Sequence, residues 1–151
     1  MSIEDSYNFR RIHDDLTTSG LVDADQLRGL AAEGYDAVVN LLPDGHEHAV
    51  VDEARIIQDQ GLDYVHIPVD FDAPTRADLA AFAEALDARA GQKLHVHCAA
   101  NYRVSVFYSL YALHRGLRTE VEADELVADV WNPADHPVWT QFIADERTGP
   151  L

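Results

Sequence analysis

Leu94-His95-Val96-His97-Cys98-Ala99-Ala100-Asn101-Tyr102-Arg103-Val104-Ser105 reads as a short strand, a tight turn and the start of a helix. His95 and His97 alternate with apolar residues, so they share one face of that strand. From Arg103 onward, Val104, Phe107, Leu110, Tyr111 and Leu113 keep helical spacing, and Gly116 closes the run. A strand that turns directly into a helix aims backbone N–H groups and the positive end of the helix dipole at the turn, where an anion can be held. The same field favours a thiolate at Cys98, and Arg103 offers a planar guanidinium fork to a tetrahedral oxyanion. Asn101 tolerates the left-handed conformation for which a turn otherwise needs glycine.

Working outward, the chain alternates helical and extended patterns. Leu16 to Gly20 is a short extended piece. Asp23 caps a helix predicted to run to about Glu33, with Leu27, Leu30 and Ala31 inward and Gly34 as its stop. The residues from Tyr35 to Leu42 form a strand broken by Pro43-Asp44-Gly45. A helix over about 49–60 places Val50, Ala54 and Ile57 on one side, Gly61 ends it, and Tyr64 to Val69 is the next strand. Thr75 with Asp78 opens an Ala- and Leu-rich helix that stops near Gly91. This order predicts one α/β domain over residues 1–151 with a mostly parallel central sheet flanked by helices, whose functional crevice lies at the strand carboxyl ends. Residues 1–12 are expected to form an N-terminal arm. Residues 118–151 carry two helices, marked by Leu126, Val127, Val130 and Trp131 and then by Pro137, Trp139, Phe142 and Ile143, that pack on the domain.

Composition narrows the function. The 151 residues are 47% hydrophobic and 25% charged, a globular balance. Acidic residues outnumber basic ones 27 to 11, giving a formal charge of −16, which argues against nucleic-acid or anionic-membrane partners. No run approaches the roughly 18 apolar residues of a membrane span, and Met1 to Asp5 does not resemble a signal peptide, so a cytoplasmic location is expected. Cys98 is the single cysteine, which excludes an internal disulfide and a multi-thiolate zinc site.

With those residues in view, the sequence resembles the cysteine-dependent tyrosine/dual-specificity phosphatases, and more closely the bacterial beta-lactamase-hydrolase-like protein phosphatase branch. The resemblance runs from about Leu16 to Gly116. It is carried by Ser19-Gly20, by Val38-Val39-Asn40-Leu41 with Pro43-Asp44-Gly45, by Tyr64 to Asp70, and by His97-Cys98 to Arg103. It implies a dual-specificity-phosphatase-like fold and hydrolysis of phosphomonoesters through a cysteinyl phosphate. The substrate would be a phosphorylated small molecule or a phosphoprotein. Cys98 is then the nucleophile, residues 99 to 103 (Ala99, Ala100, Asn101, Tyr102, Arg103) the phosphate-binding loop, and Arg103 the ligand of the phosphoryl oxygens. His97 supports the loop. Asp70, in Asp70-Phe71-Asp72-Ala73-Pro74, is the general acid, with Asp72 as the alternative. Ser105 either assists breakdown of the intermediate or caps and packs. No cofactor or metal is implied.

Departures from that pattern keep two other chemistries open. Four residues separate Cys98 from Arg103 where five are usual, the loop has no glycine, and Val104 stands where a hydroxyl is usual. A short loop is the geometry of rhodanese-like sulfurtransferases, in which Cys98 would carry a persulfide. A non-catalytic phosphate- or phosphoprotein-binding module is the third reading. His46, Glu47 and His48 with His95 and His97 are conceivable metal ligands, but a supporting role for His97 and solvated loop histidines explain them better. Trp131 and Trp139 read as core, and Arg10 and Arg11 as surface.

Overall fold

The computed structural model describes residues 1–151. Its strands are β1 (Arg10–His13), β2 (Leu16–Ser19), β3 (Ala37–Asn40), β4 (Asp63–His66) and β5 (Leu94–His97). Its helices are α1 (Ala24–Arg28), α2 (Glu53–Gln58), α3 (Arg76–Asp87), α4 (Tyr102–His114), α5 (Glu120–Ala128) and α6 (Pro137–Glu146). The sheet order is β1-β2-β5-β3-β4, with only β1 antiparallel to its neighbour. β5 therefore lies in the middle. Every residue of β2, β3 and β5 is buried, as expected of parallel strands covered on both faces.

The two faces differ in chemistry. Leu16, Ala37, Val39, Leu94 and Val96 face α3, α4, α5 and α6 in the larger apolar core, which also holds Phe82, Phe107, Trp131, Trp139 and Phe142. On the other face, Val38 joins Leu27, Leu30, Tyr35 and Ile57 from the α1 and α2 side. There β2 and β5 contribute polar residues instead. Thr17 Oγ1 lies 2.7 Å from the Tyr35 hydroxyl and 2.8 Å from His95 Nδ1, and Ser19 Oγ lies 2.9 Å from His95 Nε2. A neutral imidazole with its proton on Nε2 satisfies this chain at both ends. Burial and the neighbouring His97 hold His95 well below the ordinary histidine range.

Element bounds are tighter than the sequence predicts. The helix predicted from Asp23 to about Glu33 ends at Arg28, because Gly29 follows and the chain continues in turns to Gly34. α2 starts at Glu53 rather than near 49, since Asp52 before it is left-handed (φ 61°). The strand predicted over 64–69 stops at His66, ahead of Pro68, which has no N–H to give a ladder. Gly61 and Gly116, the predicted stops, do adopt positive φ. The expected N-terminal arm contains β1, an edge strand whose residues alternate between half-buried and exposed.

Because His95 stays neutral in the folded protein while the unfolded chain protonates it below about 6.5, the unfolded state binds the extra proton and stability falls as pH drops. Below that pH, urea melts should show a loss of about 1.4 kcal/mol per pH unit from this ring. His95→Gln should remove that increment, and an unchanged slope in the variant would contradict it.

Candidate active site

Leaving β5, the chain places Cys98 at the base of the turn, 1% exposed. Cys98 N–H donates to Ser19 C=O (3.3 Å), and Leu21 N–H donates to Ala99 C=O (2.9 Å), so β2 and its continuation run alongside the turn. Asn101, at the cap of α4, is left-handed (φ 68°), as the sequence predicts for that position. Its side chain adds something the sequence did not announce. Asn101 Nδ2 donates to Asn8 C=O and to Thr18 Oγ1, both at 2.9 Å, and Asn8 Nδ2 donates back to Ala100 C=O (3.0 Å). The turn is thus fastened from behind by the segment preceding β1. The backbone N–H groups of Ala99, Ala100, Tyr102, Arg103 and Val104 donate to no carbonyl. They are free donors at the start of α4, a 13-residue helix with no acidic residue in its first turn.

Arg103 lies in this first turn and is 7% exposed. Eight of the eleven lysine and arginine side chains pair with a carboxylate, and Arg103 is not among them. Its buried Nε has no hydrogen-bond partner. The guanidinium carbon sits 5.2 Å from the centre of the Phe71 ring. That contact brings the segment after β4 over the turn. Phe71 is held in place by its carbonyl, which accepts from Trp139 Nε1 (2.8 Å), and by ring contacts with Trp131 and Tyr102. Asp70 and Asp72 flank Phe71 in one tight turn and are both exposed. Asp72 N–H donates to Asp70 Oδ1 (2.9 Å), and Ala73 N–H to Asp70 C=O (3.1 Å).

Of the remaining residues singled out by sequence, Tyr102 stacks on Trp131 with 4.4 Å between ring centres. Ser105 Oγ donates to Tyr102 C=O (2.9 Å) and accepts from Trp131 Nε1 (3.1 Å), so its hydroxyl is engaged in packing. Arg10 and Arg11 pair with Asp129 and Glu4. His95 and His97 share a face and stack, but their nitrogens go to Thr17, Ser19 and Glu53.

Glu53 is the residue that sequence reasoning missed. It is 5% exposed, and its Oε2 lies 2.6 Å from His97 Nε2, which puts a buried carboxylate–imidazole bond one residue from Cys98. A signal was present: Glu53 lies three residues after Val50 and four before Ile57, on the apolar face of its own helix. A carboxylate there needs a buried partner.

A recessed sulfur, a ring of free N–H donors and an uncompensated guanidinium can together receive a tetrahedral oxyanion. Residues 8–114 match the family described as beta-lactamase hydrolase-like protein, phosphatase-like domain. A beta-lactamase hydrolase-like protein of Xylella fastidiosa (strain Temecula1) is 34% identical over 117 residues, covering 74% of this chain and 27% of the relative. The chain thus spans about a quarter of the length of the curated relatives it matches. A candidate phosphatase from Shewanella putrefaciens CN-32 superposes with a TM-score of 0.87 at 32% identity, covering 95% of this chain and 91% of that one. P. aeruginosa TpbA, solved in complex with phosphotyrosine, superposes with a TM-score of 0.72 at 17% identity over 97% of this chain and 92% of that one, a likeness of fold. The architecture is that of the tyrosine/dual-specificity phosphatases.

Two substitutions test how the turn is held. A Cβ on Gly20 would lie 2.6 Å from Ala99 O, 2.8 Å from Ala100 Cα and 2.9 Å from Tyr7 Cδ2. Gly20→Ala should therefore displace the turn, and inorganic phosphate should raise the Tm of the parent protein but not that of the variant. Glu53→Ala strands His97 Nε2 and should lower the unfolding free energy by about 3–5 kcal/mol in urea titrations. Glu53→Gln, which keeps an acceptor, should lose less.

Proposed function

The chain belongs to the phosphatase-like domain family of the beta-lactamase hydrolase-like proteins, and from that premise we propose that it is a cysteine-dependent phosphomonoesterase. The observation that carries the reading is Arg103: a guanidinium 7% exposed, paired with no carboxylate, beside five free N–H groups and the sulfur of Cys98. A buried cation without a counter-charge is costly unless an anion completes it.

In the proposed reaction the Cys98 thiolate attacks phosphorus in line with the ester oxygen. A sulfur–phosphorus bond forms as the phosphorus–oxygen bond breaks. The free N–H groups and Arg103 hold the three equatorial oxygens, where negative charge is spread in the transition state. Asp70 delivers a proton to the leaving alcohol, with Asp72 in the same turn as the alternative donor; the Phe71 contact with Arg103 supports placing this turn above the reacting group. Water then attacks the cysteinyl phosphate, releases inorganic phosphate and regenerates the thiolate. Positioning and fixed charges carry such a transfer. Ser105 takes the packing role, because its hydroxyl already bridges Tyr102 and Trp131. The phosphotyrosine held by TpbA is consistent with a phosphorylated substrate for this chain.

Turnover of p-nitrophenyl phosphate in the presence of a chelator tests the reading. Cys98→Ser should abolish it, and full activity in that variant would refute the assignment. Asp70→Asn should slow esters with a poor leaving group by roughly 10²–10⁴-fold while sparing the nitrophenyl ester, whose leaving group needs little protonation; the same pattern in Asp72→Asn instead would move the role there. Thiosulfate with cyanide probes the persulfide chemistry suggested by the four-residue spacer, and thiocyanate formation would replace the phosphatase assignment.

A further inference from the structure

The charges around the mouth specify what the phosphate is attached to. β2, β3, β4 and β5 are parallel, and Ser19, Asn40, His66 and His97 lie level with one another, so the segments leaving them emerge along the same edge as Cys98. Three of those segments, residues 20–23, 41–52 and 67–75, contain six carboxylates and no lysine or arginine. Asp23, Asp44, Glu47, Asp52, Asp70 and Asp72 are all exposed. The nearby cations that would balance them are engaged elsewhere. Arg10 pairs with Asp129, Arg55 with Asp59, and Arg76 with Glu146. Besides Arg103, two basic residues lack a carboxylate partner, and both lie at the opposite edge. Lys93 precedes β5, with its ammonium on Glu33 C=O and the Tyr35 ring, and Arg118 follows the far end of α4, against Ile12 C=O. One phosphate therefore meets one guanidinium, and no second cation stands ready for a second phosphate.

We propose that this site selects a phosphomonoester carried on a basic peptide segment, in which the scissile phosphate is the single anionic group. The proposal rests on the phosphatase reading and deepens it. The carboxylates come from three separate segments rather than one cluster, which matches positive charges on both sides of a phosphorylated residue better than one amine on a small molecule. Their effect is local: the Debye length is roughly 8 Å at physiological ionic strength, so charges flanking the phosphate are read and distant ones are screened. The nearly buried Cys98 adds a steric requirement, because a phosphoryl group must project from its carrier to reach it.

The test compares two synthetic phosphotyrosyl peptides of equal length, one flanked by lysines and one by glutamates, with an inositol polyphosphate as a third substrate and p-nitrophenyl phosphate as the uncharged-body reference. The lysine-flanked peptide should have kcat/KM at least about tenfold above the glutamate-flanked one. That ratio should shrink as salt rises from about 0.01 M to about 1 M, which contracts the Debye length from roughly 30 Å to 3 Å. The double variant Asp44→Lys/Glu47→Lys should narrow the ratio while leaving p-nitrophenyl phosphate turnover unchanged. Equal rates for the two peptides, or preference for the glutamate-flanked peptide or the polyphosphate, would overturn the proposal while the phosphatase reading stands. If even p-nitrophenyl phosphate is not hydrolysed, the phosphatase reading fails instead. Fluorescence anisotropy of both peptides with Cys98→Ser then still reports selection: tighter binding of the lysine-flanked peptide supports it, and equal binding overturns it.

Discussion

A cation held where water cannot reach it, with no carboxylate to neutralise it, is the constraint around which this molecule is arranged. Arg103 is covered by the Phe71 ring, and its neighbours in the first turn of α4 are free N–H groups rather than acceptors. Such an arrangement raises the energy of the empty protein and lowers that of the anion-bound one. The surrounding structure keeps the electrostatic demand from being relieved internally. No acidic side chain enters the first turn of α4, and the exposed aspartates on either side of Phe71 turn toward solvent.

The two faces of the central sheet divide the labour of supporting that site. On one side the apolar core of α3 to α6 reaches the turn through an aromatic cluster in which Tyr102, Phe71, Trp131 and Trp139 touch one another. On the other side the support is polar, with Thr17, Ser19, Tyr35 and His95 forming one chain of hydrogen bonds and Glu53 with His97 another. Polar networks of this kind fix a single geometry because each group has few satisfactory partners in a buried layer. The strand before the cysteine is thereby held in register from both faces.

Much of this was legible in the sequence, because the signals were local. The parallel αβ alternation, the strand ending at His97, the left-handed Asn101 and the helix beginning beside Arg103 all follow from periodicity and turn chemistry over a dozen residues. What was not legible depends on residues far apart in the chain. The Glu53–His97 bond spans 44 positions, and the hold of Asn8 on the turn spans 92. β1 escaped notice because a four-residue edge strand with two arginines has no apolar face to announce it. Helix ends were overestimated where apolar spacing continued through residues whose backbone had already left the helix, as at Gly29 and before Asp52.

The mutual grip of Asn8 and Asn101 also bears on the order in which the protein is made. Chain emerging from the ribosome can build β2, β3 and β4 with their helices before residue 101 exists, but the reactive turn cannot be clamped until a loop of about 93 residues has closed on the beginning of the chain. Chemical competence is therefore among the last properties acquired in folding. It is also among the first lost, since local fraying of residues 7–9 would free the turn while the sheet stays intact.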